Sequence, residues 1–391
     1  MEEGLSKLTL QVTRQCNLRC KYCIYSEVSS EKQRSHSNQS MPWELAQKGI
    51  DFLLAHSMDQ STINLGFYGG EPLLNFPLVQ RAIEYIKKMG EGREITFALT
   101  TNGTIMNDEI VQFLLANNVD ILLSFDGPSE VHDKNRIFAD GTKGTFQKIE
   151  SNLQWLHDNY PDLLKKIGFS VVMDPSNDFS CINDFFLNYW AVRENSLIAP
   201  TIVNNDYNED ETVMYSKEFM AKMRYETFKL YMTLCDRFPA DQVSIITKNF
   251  YARFSHAFSQ SLGRSQLPDT HSPGGPCVPG PMRLFMDVEG NFYPCERVSE
   301  KSECMRIGNV DAGFDLEKCE KLLNVAQLTK EECRDCFAFA HCSQCGARAD
   351  QDGTLDKDRR LSYCNGVRNG FDNDLRDYIT LLELQNMMVG R

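Results

Sequence analysis

Short apolar runs and longer amphipathic stretches alternate along the first half of the chain. Runs at 8–12, 63–68, 95–100, 121–125, 167–173 and 197–203 have the length and composition of buried parallel strands. Between them, 42–55, 79–89, 107–116, 146–157 and 182–193 repeat apolar residues at helical spacing. Pro42 suits a first helical turn, and Asn107 or Asp108 suits a cap. Strand and helix in alternation predict a parallel sheet with right-handed crossovers. The units are too few for a full eight-fold barrel. The expected class is therefore α/β, an open, partial (β/α)6 TIM-like barrel over 1–212. Helical patterns at 214–235 and 241–262 form a bridge across 213–266, and a cluster of prolines and glycines at 267–282 marks a boundary. Beyond it, 267–372 forms a small cysteine-rich domain with a hairpin of 284–287 and 291–293, and 373–391 forms a last helix.

Composition narrows the classes. The 391 residues are 42% hydrophobic and 24% charged, ordinary for a globular protein. No apolar run reaches the roughly 18 residues of a membrane span. The start, Met1-Glu2-Glu3-Gly4, lacks the layout of a secretory signal. A cytoplasmic, reducing location is expected, where fourteen cysteines read as metal ligands or free thiols before disulfides. The formal charge of −13 argues against nucleic acid as a partner and is compatible with a basic or neutral peptide.

Candidate chemistry falls at the C-terminal ends of the expected strands, where parallel α/β barrels collect ligands. Cys16, Cys20 and Cys23 form a C-x3-C-x2-C after the first strand. Gly69, Gly70, Glu71 and Pro72 follow the second, Thr100 to Gly103 the third, and Ser124 to Gly127 the fourth. Three thiolates in one loop suit an iron–sulfur cluster with one iron open, while a zinc knuckle or packed thiols are the plain alternatives. Adjacent glycines admit close backbone approach, and a following carboxylate accepts from an ammonium group. Ser124 and Asp126 suit a ribose, and Arg136 a carboxylate.

With these motifs the chain resembles the radical SAM enzymes. That resemblance implies S-adenosyl-L-methionine bound at the open iron of a [4Fe-4S] cluster held by Cys16, Cys20 and Cys23. It also implies cleavage to a 5′-deoxyadenosyl radical. It makes 69–72 the GGEP motif, meeting the methionine amino group, and sets Tyr22 against adenine. Thr101 and Asn102 join the cofactor-binding set, and 124–136 is similar to the matching stretch of anaerobic sulfatase-maturing enzymes. His132 reads as structural.

Toward the C-terminus come Cys277, Cys295, Cys333-x2-Cys336-x5-Cys342-x2-Cys345 and Cys364. Alone, the paired C-x2-C elements suit a zinc ribbon equally well. Behind a radical SAM half they resemble a SPASM domain, which implies two auxiliary iron–sulfur clusters, both [4Fe-4S]. By that likeness Cys333, Cys336, Cys342 and Cys364 hold the outer cluster, and Cys277, Cys295 and Cys345 the inner one, nearer the barrel mouth. The family's usual ending has one residue more before its last cysteine, and the shorter spacing resembles maturases of Cys-rich ribosomal peptides. Cys181, Cys235 and Cys319 read as core residues, and Cys304 is either an inner ligand or none. Glu296 stands where sulfatase-maturing relatives carry an aspartate base, or else it pairs with Arg283 or Arg297.

The expected function is installation of a thioether crosslink from Cys on a Cys-rich precursor peptide, with flavodoxin or ferredoxin as electron donor. Oxidation of Cys or Ser to formylglycine on a sulfatase is the alternative, and a non-catalytic zinc-binding adaptor is the alternative of another class.

Overall fold

The computed structural model describes residues 4–25, 36–192, 197–203, 215–249, 271–273, 277–281 and 283–389, with side chains as far as 385. Strands β1 (Lys7–Thr13), β2 (Thr62–Gly69), β3 (Glu94–Thr101), β4 (Val119–Ser124), β5 (Ile167–Met173) and β6 (Ile198–Ile202) lie in chain order, each parallel to the next. The crossovers carry helices α1 (Trp43–Ala55), α2 (Phe76–Met89), α3 (Asp108–Ala116), α4 (Ser129–Asn135), α5 (Phe146–Asn159), α6 (Pro161–Leu164) and α7 (Phe179–Asn188). Asn107 caps α3 by accepting from the Ile110 amide. Two helices start earlier than their apolar spacing implies. Pro77 occupies the first turn of α2, and Asp178 caps α7 by accepting from the Ser180 amide. α7 also stops at Asn188, short of the expected 193.

The strands differ from the expectation in one respect that matters for function. They read as buried on both faces; β1 is, with Thr9, Gln11 and Thr13 buried beside Leu8, Leu10 and Val12, but along β3, β4 and β5 only the helix-covered face is. Phe97, Leu99, Ile121, Leu123, Phe169 and Val171 are buried, while their alternates Ala98, Thr100, Leu122, Ser124, Ser170 and Val172 are half-exposed. A closed barrel fills its interior with large branched side chains. Here Thr9, Gly66, Ala98, Thr100, Ser124 and Ser170 are small, so the uncovered face is a shallow hollow beneath the strand ends.

The cysteine-rich region is built onto the same sheet. The hairpin of β7 (Leu284–Met286) and β8 (Asn291–Tyr293) forms as expected, and β7 also pairs in parallel with β1. With β9 (Gly308–Asn309) and β10 (Gly313–Phe314), the order becomes β10-β9-β8-β7-β1-β2-β3-β4-β5-β6. Helix α1 roofs the junction: its Phe52 ring lies 4.8 Å from Phe292, and a Cβ on Gly49 would come within 2.6 Å of the Met286 methyl. One buried cluster consequently runs from Leu5 to Ala347. Helix α8 (Lys217–Leu234) sets Phe219 against Phe179 of α7, and its Tyr231 packs with Leu381 of the last helix, Cys364–Val389. The expected helix at 241–262 lies in its larger part outside the described residues, as does half of 267–282. Among the described residues, no helix is long and apolar enough to cross a membrane.

Pairing of β1 with β2 continues past the strand ends. The Gly70 amide donates to Thr13 O and the Glu71 amide to Gln15 O, each at 2.8 Å. Side chains would prevent this. A Cβ on Gly69, at φ +143°, would lie 2.4 Å from Thr13 O, and one on Gly70 would lie 2.0 Å from Gln15 O. Gly92 is a contrast, with φ +87° and no atom within 4 Å of its would-be Cβ. Gly92→Ala should therefore cost only conformational strain, about 1 kcal/mol. Gly70→Ala should cost about 3 kcal/mol, because backbone has to move. Denaturant unfolding of both variants checks this, and equal losses would contradict the steric assignment.

Candidate active site at the strand ends

The cysteine loop leaves β1 and is held from both sides. Cys16, Cys20 and Cys23 are half-buried and close enough to influence one another's ionisation. The Leu18 amide donates to Cys16 Sγ and the Tyr25 amide to Cys23 Sγ, both at 3.4 Å. Burial pushes the Cys16 and Cys20 thiols up to about 12. Groups so reluctant to ionise become thiolates only when a bound cation takes the proton's place. The donor set fits that requirement in kind, with three sulfurs on one short loop and amides already aimed at two of them. Among the described residues, no three Cys, His, Asp or Glu side chains converge as ligands of a single metal ion.

Glu71 has no solvent exposure, and its carboxylate is fully used within the protein. Oε1 accepts from the Leu73 amide at 3.0 Å and the Thr101 hydroxyl at 2.9 Å, and Oε2 accepts from the Asn102 amide at 2.7 Å. The residue expected to meet an ammonium group thus ties the β2 and β3 ends together. Asn102 extends the tie, donating from Nδ2 to Asn17 Oδ1 at 2.9 Å, while Asn17 donates to the Thr104 hydroxyl at 2.8 Å. Asn17, inside the cysteine motif, was invisible to spacing arguments; its signal is a short amide side chain where the loop must reach β3.

Asp126 organises the other side. Arg136 grips it through Nε at 2.9 Å and Nη2 at 3.2 Å, the Tyr22 hydroxyl donates to it, and so does the Val172 amide at 3.0 Å. Arg136 Nη1 faces Cys20 Sγ at 3.9 Å, and its guanidinium lies 5.3 Å from the Tyr22 ring centroid. This makes Arg136 a buried member of the loop's wall. His132, also buried, accepts from the Asp126 amide at 3.2 Å and meets the Thr145 hydroxyl at 2.9 Å. Burial holds it down near 3, so it stays neutral and structural. Ser124 ends β4 on the hollow face.

The remaining sulfurs differ in their surroundings and their hydrogen bonds. Cys295 and Cys342 accept from the amides two residues on, Arg297 and Gln344, as Cys16 and Cys23 do. Cys333 meets the Thr329 hydroxyl at 3.3 Å, Cys364 accepts from Gln344 Nε2 at 3.5 Å, and Arg368 bonds Cys336. Cys333, Cys336, Cys342 and Cys364 line one pocket. Cys304 donates to Asp350 Oδ1 at 3.5 Å and meets the Ser302 hydroxyl at 3.3 Å, Cys319 donates to Ile307 O at 3.9 Å, and Cys181 to Glu130 Oε1 at 3.6 Å; Cys364 also donates to a carbonyl, Arg360 O, at 3.9 Å. Cys235 and Cys319 are buried as expected, whereas Cys181 is half-exposed on its helix. Cys295 and Cys345 affect each other's ionisation, and Cys277 is exposed. Glu296 pairs with Arg283 at 3.1 Å and lies near Lys7, at the start of β1. Those seven residues of strand put this group about 20 Å from the cysteine loop.

Burial outweighs the three donors on Glu71 and raises its carboxyl from 4.5 to about 7. A folded value above the unfolded one means the folded chain holds the proton longer. That stabilisation is complete below about pH 4.5 and is lost as the pH rises toward 7. Between pH 5 and 7.5 the wild type should lose more unfolding free energy than Glu71→Gln, and matching slopes would contradict the assignment.

Comparisons with known proteins agree with this geometry. The family model described as the radical SAM superfamily matches residues 10–183. The radical SAM cyclopropyl synthase TigE of Paramaledivibacter caminithermalis is 30% identical over 359 residues, covering 87% of this chain and 67% of that protein. The cysteine-type anaerobic sulfatase-maturating enzyme of Clostridium perfringens is 26% identical over 94% of this chain and 95% of its own. A solved structure, native anSMEcpe with bound AdoMet, superposes with a TM-score of 0.68 at 21% identity, covering 98% and 99% of the two chains, which establishes the shared fold. The chain belongs to the radical SAM superfamily and is an enzyme that works with S-adenosyl-L-methionine and a [4Fe-4S] cluster.

Proposed function

We propose that the enzyme is a peptide maturase that forms a thioether crosslink from Cys on a ribosomally made, Cys-rich peptide. The observation that carries this reading is the division of the sulfurs. One set sits at the end of β1, where two of the three accept amide hydrogens; another lies on the added hairpin and beyond, where Cys295 and Cys342 accept amide hydrogens and four sulfurs line one pocket; Cys181, Cys304 and Cys319 bond instead to carboxylate or carbonyl oxygen. Cys16, Cys20 and Cys23 would hold the [4Fe-4S] cluster; Cys333, Cys336, Cys342 and Cys364 an outer auxiliary cluster; Cys277, Cys295 and Cys345 an inner one. S-adenosyl-L-methionine at the first cluster supplies the oxidising power that removes a hydrogen atom from the peptide.

The chain's own residues do the positioning. Gly69 and Gly70 keep the cysteine loop seated, Glu71, Thr101 and Asn102 fix its floor, and Arg136 with Asp126 and Tyr22 forms the wall beside Cys20. Arg136 Nη1, the donor not engaged by Asp126, is the group we assign to a carboxylate of the co-substrate, and Ser124 the one for a ribose. The small, half-exposed face of the sheet gives an extended peptide room to lie against the strands. Support for a peptide comes from relatives: one solved structure holds native anSMEcpe with AdoMet and Kp18Cys peptide. A second reading, formylglycine formation on a sulfatase, is favoured by the full-length match to the sulfatase-maturating enzyme.

Alanine at Cys16, Cys20 and Cys23 together should abolish 5′-deoxyadenosine formation while the auxiliary iron remains. Undiminished deoxyadenosine would mean that other residues hold the first cluster. With a cysteine-rich peptide encoded beside the gene, mass spectrometry should find a product lighter by a pair of hydrogens whose crosslinked cysteine resists alkylation. An aldehyde in place of the cysteine thiol would establish the second reading instead.

Cys304 and Glu296 are tested at the inner site. Since the Cys304 thiol donates to Asp350, Cys304→Ala should retain full iron and product yield. Glu296→Gln should slow product formation more than deoxyadenosine formation if the carboxylate leaves Arg283 to accept a substrate proton. Equal slowing of both would reduce Glu296 to a partner of Arg283.

A further inference from the structure

Arg360 is an unusual residue for its place. It lies on the short helix Lys357–Ser362, is 1% exposed, and lines the pocket shared by Cys333, Cys336, Cys342 and Cys364. Burying a guanidinium costs several kcal/mol unless an opposite charge accompanies it, roughly the penalty per ion in a protein interior. Yet among the described residues no carboxylate pairs with Arg360. Its Nε donates to the Thr329 hydroxyl at 3.3 Å, and its Nη1 is buried without an acceptor. The carboxylate that lines the same pocket, Glu332, is taken by Lys357 at 2.5 Å. Thr329 in turn meets Cys333 Sγ at 3.3 Å, so the guanidinium is one hydroxyl away from a sulfur. A buried cation facing four cysteines, with the pocket's one carboxylate already paired to Lys357, calls for an anion among those cysteines.

We propose that Arg360 is the internal counter-charge of the outer auxiliary cluster and holds up its reduction potential. The inference rests on the reading above that these four cysteines hold an iron–sulfur cluster. Four thiolates outweigh the charge of the iron–sulfur core, and each reduction adds one further electron. A fixed positive charge in a dry pocket stabilises the reduced state more than the oxidised one. Arg368, which bonds Cys336 but is only half-buried, is better screened than Arg360 and should matter less.

The test is a dithionite titration followed by electron paramagnetic resonance, in the Cys16, Cys20 and Cys23 to Ala background. The signal that Cys342→Ala removes marks the outer cluster. Arg360→Gln should shift its reduction equilibrium at least tenfold toward the oxidised form, about 59 mV for one electron. Arg360→Lys should restore most of the shift, and Arg368→Gln should change little. Should Arg360→Gln lose the cluster, retention of iron and potential in Arg360→Lys still supports a charge role, and loss in both overturns it. An unmoved potential with iron in place overturns the proposal alone, whereas absence of auxiliary iron from the parent overturns the cluster reading beneath it.

Discussion

The contact between the end of β2 and the backbone of Thr13 to Gln15 governs the mouth of this molecule. Two amide hydrogen bonds of 2.8 Å extend the sheet beyond its last paired side chains, and they exist because Gly69 and Gly70 put nothing in the way. The cysteine loop begins at the next residue. Its direction is inherited from a main-chain pairing, and Glu71, immediately after the glycines, passes that restraint to Thr101 and Asn102. Asn102 returns it to the loop through Asn17. The loop is consequently fixed by strands on both sides before any ligand arrives, which is how a site for radical chemistry can be held by rigid elements.

Electrostatics separates the two halves. At the strand ends the buried groups find their partners within the protein: Arg136 in Asp126, and Glu71 in three donors, although burial still raises its carboxyl. In the C-terminal region, Arg360 is buried without such a partner. The first arrangement is complete in the polypeptide alone, whereas the second asks for an anion that the polypeptide supplies as four sulfurs. β7 joins both halves to one sheet, so they share a core and not merely a linker.

Much of this was legible from sequence. The six strands fall within two residues of the apolar runs, because a strand covered by helices on one face needs large apolar residues there. The hairpin was legible from the two short runs at 284–287 and 291–293. Its pairing with β1 was not, since edge pairing leaves no periodicity in either segment. The cysteine motif, the glycines and Asp126 were legible as unusual residues at strand ends. Glu71, however, reads as a ligand group from its place after two glycines, and only burial shows that its oxygens are already occupied. Asn17 and Arg360 escaped for a related reason. Neither belongs to a spacing pattern, and each owes its importance to partners distant in sequence.

The most direct test of the account is the metal inventory of protein reconstituted without oxygen, by iron and sulfide analysis with Mössbauer spectroscopy. Three cubane clusters predict about twelve irons and as many sulfides per chain, all in [4Fe-4S] form. About four irons, with zinc in the C-terminal cysteines, would contradict the assignment of an outer and an inner cluster.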